Sequence, residues 1–117
     1  MDQRKADRCS LVYYLRVFDG LSNKILGHLV DISERGVMLI TDEPVEPNED
    51  HRLRIRLPAF LRDRHELVLK GTSRWCRQDL EQDNYLAGFQ VYDVDARSKK
   101  LVQSLINDLG YQEAGPP

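Results

Sequence analysis

The 117-residue chain has few cysteines, and it has no apolar run long enough to cross a bilayer. Two cysteines, Cys9 and Cys76, are too few for a disulfide framework, which favours a reducing compartment such as the cytoplasm. The N-terminal segment MDQRKADRCS lacks the apolar stretch of a secretory signal. These absences predict a cytoplasmic protein that does not insert into a membrane.

Histidine is also scarce. His28, His51 and His65 follow none of the spacings that are typical of zinc ligands. No Ser-His-Asp or Cys-His arrangement can be assigned from the spacing of the residues. The sequence therefore predicts a protein that is not an enzyme and that holds neither a metal nor a cofactor.

The charges are nearly balanced, with 17 basic and 19 acidic residues and a formal net charge of -2. A protein that coats nucleic acid usually has a strong basic excess, so nucleic acid is a disfavoured partner. The hydrophobic fraction of 41% and the charged fraction of 31% are typical of one globular domain with a modest core.

Alternating and β-branched patterns predict six strands, at residues 11–18, 24–32, 37–41, 51–57, 66–77 and 85–92. The connections between most of them are short, which favours antiparallel pairing. Residues 42–50, which contain two prolines and five acids, are predicted to form a loop. Gly71 is predicted to mark a bulge or bend in the fifth strand.

The spacing of apolar residues changes after residue 95 from the alternation of a strand to the period of a helix, with the apolar residues on one side. Asp95 is its predicted N-cap, and Gly110 is its predicted end. The chain is expected to be all-β, a six-stranded antiparallel barrel with a C-terminal α-helix. Residues 1–10 are predicted to form a flexible arm, 11–110 the barrel and helix, and 111–117 a disordered tail.

Two motifs stand out in order along the chain. Arg4-x-x-x-Arg8 lies in the arm before the first strand, and Asp31-x-Ser33-x-x-Gly36 lies between the second and third strands. Together with a six-stranded barrel and a C-terminal helix, this order resembles the PilZ domain family over nearly the whole chain. The resemblance implies a bacterial receptor for the second messenger cyclic di-GMP.

The chemistry of the motif residues suits such a ligand. The resemblance implies that Arg4 and Arg8 contact phosphate and stack on guanine, as planar guanidinium groups can. Asp31 can accept hydrogen bonds from the guanine N1–H and amino group, and Ser33 can bond to base, phosphate or backbone. Gly36 is expected to provide a positive φ or a close backbone approach. Without the arm, the three turn residues would be read as ordinary turn chemistry.

Two positions depart from the family pattern. Gln3 stands where many members have a further arginine, and Asp7 places an acid beside Arg8. Both reduce the positive charge near the phosphates.

The leading hypothesis is a cyclic di-GMP receptor that relays the signal to a separate effector protein when the ligand orders the arm. The alternative is an interaction adaptor of the same fold that does not need the nucleotide.

A third hypothesis rests on the basic face of the fourth predicted strand. Arg52, Arg54 and Arg56 alternate with apolar residues and would point to one side. That side is interpreted as a solvated strand face, and binding of single-stranded RNA is the less favoured alternative. Trp75 and the tyrosines are interpreted as core or barrel-wall residues rather than as platforms for bases.

Overall fold

The computed structural model describes residues 9–20, 22–58 and 65–111. All six predicted strands and the helix are present, and their ends differ from the predicted ones by at most two residues. In chain order the elements are β1 (Cys9–Asp19), β2 (Ile25–Ile32), β3 (Gly36–Thr41), β4 (Asp50–Arg56), β5 (Glu66–Asp79), β6 (Asn84–Tyr92), α1 (Ala96–Leu109) and β7 (Gly110–Tyr111).

The first six strands form a closed antiparallel barrel in the order β1-β2-β3-β6-β5-β4, and β4 pairs with β1 to complete the circle. Closure pairs the two strands that would otherwise form exposed edges. The two-residue β7 adds to the first part of β1, where Ser10 pairs with Tyr111 and Leu11 with Gly110. The predicted fold class is therefore confirmed, and β7 is an element that the sequence pattern did not predict.

Side chains alternate between the barrel interior and the outer wall. On β4, Leu53 and Ile55 are completely buried, whereas Arg52 and Arg56 are exposed, as the alternation predicted. The interior is a single apolar cluster in which the least accessible side chains are Val17, Leu29, Leu39, Leu53, Ile55, Ala87 and Leu105.

Helix α1 contributes to this same core. Val102 and Leu105 are buried in the apolar cluster, and the helix contacts β1 and β5. Asp95 is the N-cap, as predicted, because its Oδ1 accepts a hydrogen bond of 2.7 Å from the backbone N–H of Ser98. That hydrogen bond lowers the pKa of Asp95. The helix ends at Leu109, immediately before Gly110.

The bulge in β5 lies at Arg74, and the prediction of a bulge at Gly71 was wrong. Gly71 keeps regular register with both neighbouring strands, and a Cβ on it would lie 3.2 Å from Cδ1 of Leu53, so close packing explains this glycine. Arg74 is the additional residue between Ser73, which pairs with Phe89, and Trp75, which pairs with Gly88. The bulge lets Ser73 point inward while Trp75 lies on the outer wall.

Ser73 connects the bulge to the acidic loop of residues 42–50. Its hydroxyl donates to the carbonyl oxygen of Glu46 at 2.6 Å and accepts from the backbone N–H of Glu49 at 3.0 Å. The side chain is fully buried, so these bonds satisfy a polar group that would otherwise be unpaired in the core.

The predicted arm and tail lie mostly outside the described residues. Cys9 and Ser10, which were assigned to the arm, belong to β1, and Tyr111, which was assigned to the tail, belongs to β7. Residues 1–8 and 112–117 are outside the described part of the chain.

Candidate functional site

The turn between β2 and β3 is organised by Ser33. Its Oγ accepts hydrogen bonds from the backbone N–H groups of Arg35 and Gly36, at 3.1 and 3.2 Å. Its own backbone N–H donates to the carbonyl oxygen of Gly36 at 2.9 Å. Ser33 is buried, with 7% of its surface exposed. Of the three roles considered for this hydroxyl, the structure therefore shows the bonds to the backbone.

Gly36 is required by close packing. Of the two explanations offered for this glycine, positive φ is wrong, because Gly20 is the one glycine with positive φ among the described residues. A Cβ on Gly36 would lie 2.6 Å from the carbonyl oxygen of Phe89 on β6. Real Cβ atoms do not approach a carbonyl oxygen so closely, so β3 and β6 can pair here only if this position lacks a side chain.

Asp31 precedes the turn by one residue and lies near the end of β2. It pairs with Met38 on β3 and with Ser10 on β1, and its side chain is half-buried. The side chain therefore starts from a backbone position that is fixed by hydrogen-bonded strands on both sides. Such a position favours a defined orientation of the carboxylate.

A surface pocket of about 300 Å³ lies next to this turn. Asp31, Ser33 and Gly36 line one side of it, so the structure brings the three motif residues together at one cavity. Trp75, Gly88 and Gln90 belong to the barrel wall of the same pocket. The volume is at the lower end of the range for small-molecule sites, roughly 300–1,000 Å³, which suits part of a dinucleotide.

Trp75 was interpreted from the sequence as a packing residue, and this was incomplete. Part of its ring packs against the backbone at Gly88, since a Cβ there would come within 2.3 Å of the indole. The guanidinium of Arg77 lies 5.4 Å from the ring centroid. The side chain nevertheless remains 40% exposed and lines the pocket. The bulge at Arg74 determines this outward position, and bulges have no reliable sequence signature.

The pairing of β1 determines where the arm joins the barrel. Cys9 pairs with Ile32 and Ser10 pairs with Asp31, so β1 begins beside the turn that carries the second motif. Arg4 and Arg8 themselves lie outside the described residues.

The basic face of β4 is partly used by the fold itself. Arg54 makes a two-pronged ion pair with Glu66, with its closest contact at 2.7 Å, and also donates to the carbonyl oxygens of Gly20 and Ser22. The hydrogen bond from Arg54 lowers the pKa of Glu66, and the same bond raises the pKa of Arg54. Arg54 and Arg56 also lie over the ring of Phe18. These contacts disfavour the hypothesis that this face binds RNA.

Within residues 9–20, 22–58 and 65–111, no group of three histidine, cysteine or acidic residues is arranged to hold a metal ion. The helix found in that part of the chain is neither long enough nor apolar enough to cross a membrane.

The chain is thus a small domain built as a closed six-stranded barrel, with a C-terminal helix and a polar turn beside a wall pocket. Residues 2–108 match the profile of the PilZ domain, and the chain therefore belongs to the PilZ domain family. No curated protein gives a significant sequence match.

Two solved structures support the fold. The PilZ domain of YcgR from Escherichia coli, solved with c-di-GMP, is similar with a TM-score of 0.67 and 13% identity, covering 87% of each chain. The inhibitor of motility MotI/DgrA from Bacillus subtilis is similar with a TM-score of 0.66 and 18% identity over 86% of this chain. The chain spans about half of the length of MotI, since the match covers 48% of it.

Proposed function

We propose that this protein binds cyclic di-GMP at the pocket beside the β2–β3 turn and acts as a cytoplasmic bacterial receptor rather than as an enzyme. The observation that carries this proposal is the gathering of Asp31, Ser33 and Gly36 at one pocket, next to the start of β1. Membership of the PilZ family, which includes a domain solved with c-di-GMP, supports the choice of ligand.

Each part of the pocket suits a different part of the ligand. The Asp31 carboxylate can accept hydrogen bonds from the guanine N1–H and amino group. The exposed part of Trp75 offers an aromatic face beside the pocket, where a base can stack. Arg4 and Arg8 are the proposed phosphate ligands, because arginine forms two parallel, charge-assisted hydrogen bonds with phosphate oxygens.

The proposed signal transfer depends on the point where β1 begins. Arg8 directly precedes the residue that pairs with Ile32, so an arm that closes over the ligand starts at the rim of the pocket. Binding then orders the arm and changes the surface that a separate effector protein meets. The ligand shifts this equilibrium only by its difference in affinity for the two states of the arm.

Isothermal titration calorimetry with cyclic di-GMP tests the proposal. We expect Arg4→Ala, Arg8→Ala and Asp31→Ala each to weaken binding by about 1–3 kcal/mol, because each removes charge-assisted hydrogen bonds. Arg52→Ala, on the outer face of β4 and away from the pocket, is the matched control that removes the same charge. Absence of both heat and a thermal shift for the wild-type protein at high ligand concentration would refute the proposal.

A second candidate function is an adaptor that binds a partner protein without the nucleotide. The departures at Gln3 and Asp7 and the similarity to an inhibitor of motility favour it. It predicts that a captured partner is retained by the Arg8→Ala variant in the absence of cyclic di-GMP. If the partner binds only when nucleotide is added and is lost with Arg8→Ala, the adaptor hypothesis is wrong.

A further inference from the structure

The β5 bulge places an arginine at the pocket. Arg74 is the additional residue of that bulge, and it lines the pocket together with Trp75 and Gln90. Its side chain is exposed on the barrel wall, where the residue lines the pocket. The motif turn belongs to β2 and β3, whereas Arg74 belongs to β5, so the two approach the cavity from different strands.

The partner of Arg74 is a neutral group. Its Nε and one Nη donate to Oε1 of Gln90, at 2.9 and 2.7 Å. Gln90 pairs with Gly36 across β3 and β6, so this amide holds the guanidinium beside the motif turn. A guanidinium has five N–H donors, and an amide oxygen does not neutralise its charge. Arg74 therefore has both donors and charge available for an anion.

Arg54 shows what a structural arginine looks like in this fold. Its guanidinium is held by the carboxylate of Glu66 and by two backbone carbonyls. An anionic oxygen makes shorter and stronger hydrogen bonds with arginine than a neutral amide does. A phosphate at the pocket would therefore replace or supplement the amide of Gln90 at Arg74, whereas it could not compete for Arg54.

We propose that Arg74 is a ligand-binding residue that contacts a phosphodiester oxygen of the nucleotide from the barrel wall, with Gln90 as its positioning residue. This inference rests on the proposed function and extends it to a residue outside both motifs. The ligand would then contact the motif turn on one side of the pocket and a cation on β5 on the other.

Calorimetric titration of cyclic di-GMP into four proteins tests this inference: the wild type, Arg74→Ala, Asp31→Ala and Arg52→Ala. We expect Arg74→Ala to weaken binding by about 10- to 100-fold, because a charged hydrogen bond is lost. Arg52→Ala removes the same charge from an exposed strand position away from the pocket, and its affinity should stay within about twofold of the wild type. Thermal unfolding should give similar midpoints for both arginine variants, since both side chains are exposed.

Salt dependence separates direct contact from an indirect effect on the pocket. The wild-type affinity should fall more steeply with added NaCl than the affinity of Arg74→Ala, because one cation–phosphate contact is missing from the variant. Normal affinity and an unchanged salt dependence in Arg74→Ala, together with lost binding in Asp31→Ala, would overturn the role of Arg74 and leave the proposed function standing. Absence of binding by the wild type would overturn both.

Discussion

Gly36 lies directly against the main-chain carbonyl of Phe89, and that contact fixes the motif turn to the barrel wall. The oxygen of Phe89 is 2.6 Å from the point where a Cβ of Gly36 would be. Nearby, the backbone N–H of Val91 donates to the carbonyl oxygen of Arg35 at 2.9 Å, which joins the turn to β6 a second time. The turn therefore has little freedom to move relative to the pocket.

We predict that Gly36→Ala lowers the free energy of unfolding by about 1–3 kcal/mol, because the added methyl forces β3 away from β6. Urea denaturation measures the change. Gly20→Asn is the control: Gly20 has a φ of +60° and open space around it, and asparagine tolerates that conformation. Equal stability of Gly36→Ala and the wild type would mean that the strands can separate at little cost.

Ser33→Ala should also destabilise the protein, by about 1–2 kcal/mol, since two backbone N–H groups lose their acceptor. The amides of Arg35 and Gly36 should exchange hydrogen faster in this variant, whereas amides in the centre of β4 should be unaffected. If these two amides stay protected from hydrogen exchange, the Ser33 hydroxyl does not stabilise the turn. Its role would then be limited to contact with the ligand.

The only tryptophan of the chain is a built-in reporter for the pocket. We predict that Gly88→Ala displaces the Trp75 ring, because a Cβ would come within 2.3 Å of the indole. The fluorescence maximum should move to longer wavelength as the ring becomes more exposed to water, and the affinity for cyclic di-GMP should fall. Leu80→Ala, at a highly exposed position in the β5–β6 turn, should change neither property.

Glu66 should make stability depend on pH in the acid range. Its pKa in the folded protein is lower than the ordinary value of 4.5, because Arg54 donates hydrogen bonds to it. The stabilisation that this ion pair provides is complete at pH values above the ordinary pKa, where the carboxylate is ionised in both the folded and the unfolded protein. It is lost as the pH falls through the lowered pKa of the folded protein. The pair is partly exposed, so the effect at neutral pH should not exceed about 1 kcal/mol.

The measurement is urea denaturation of the wild type and Glu66→Gln at several pH values. The difference in unfolding free energy should be largest near neutral pH and should shrink on acidification. Glu81→Gln, at an exposed position in the β5–β6 turn, should show no such trend. A difference that grows as the pH falls would have the wrong sign for a carboxylate with a lowered pKa.

The parts of the fold that follow from periodicity were predicted well. Leu53 and Ile55 alternate with arginines on β4, and burial of one face is the direct result of that pattern. The cap at Asp95 is equally local, because one side chain bonds an amide three residues ahead. The close approach at Gly36 could only be offered as one of two possibilities, because it depends on β6, which is distant in the sequence.

The wall of the site could not be predicted for the same reason. Ser73 points inward to bond with the 42–50 loop, and Arg74 is then the additional residue that moves Trp75 to the outer face. Neither effect can be predicted if the side chains of β5 are assumed to alternate strictly between the core and the outer wall. The roles of Arg4 and Arg8 remain predictions, since both lie outside the described residues.

The pairing of Ser10 with both Asp31 and Tyr111 has a practical consequence for engineering this protein. The first and last described strands run side by side, so a short linker is enough to join residue 111 to residue 9 in a circular permutant of the described barrel. New termini can then be opened at Gln82, in the exposed turn between β5 and β6. One fluorescent protein fused before β1 and another fused after β7 would, in contrast, report on the side of the barrel where Asp31 lines the pocket, and a change in energy transfer on adding cyclic di-GMP is the expected signal.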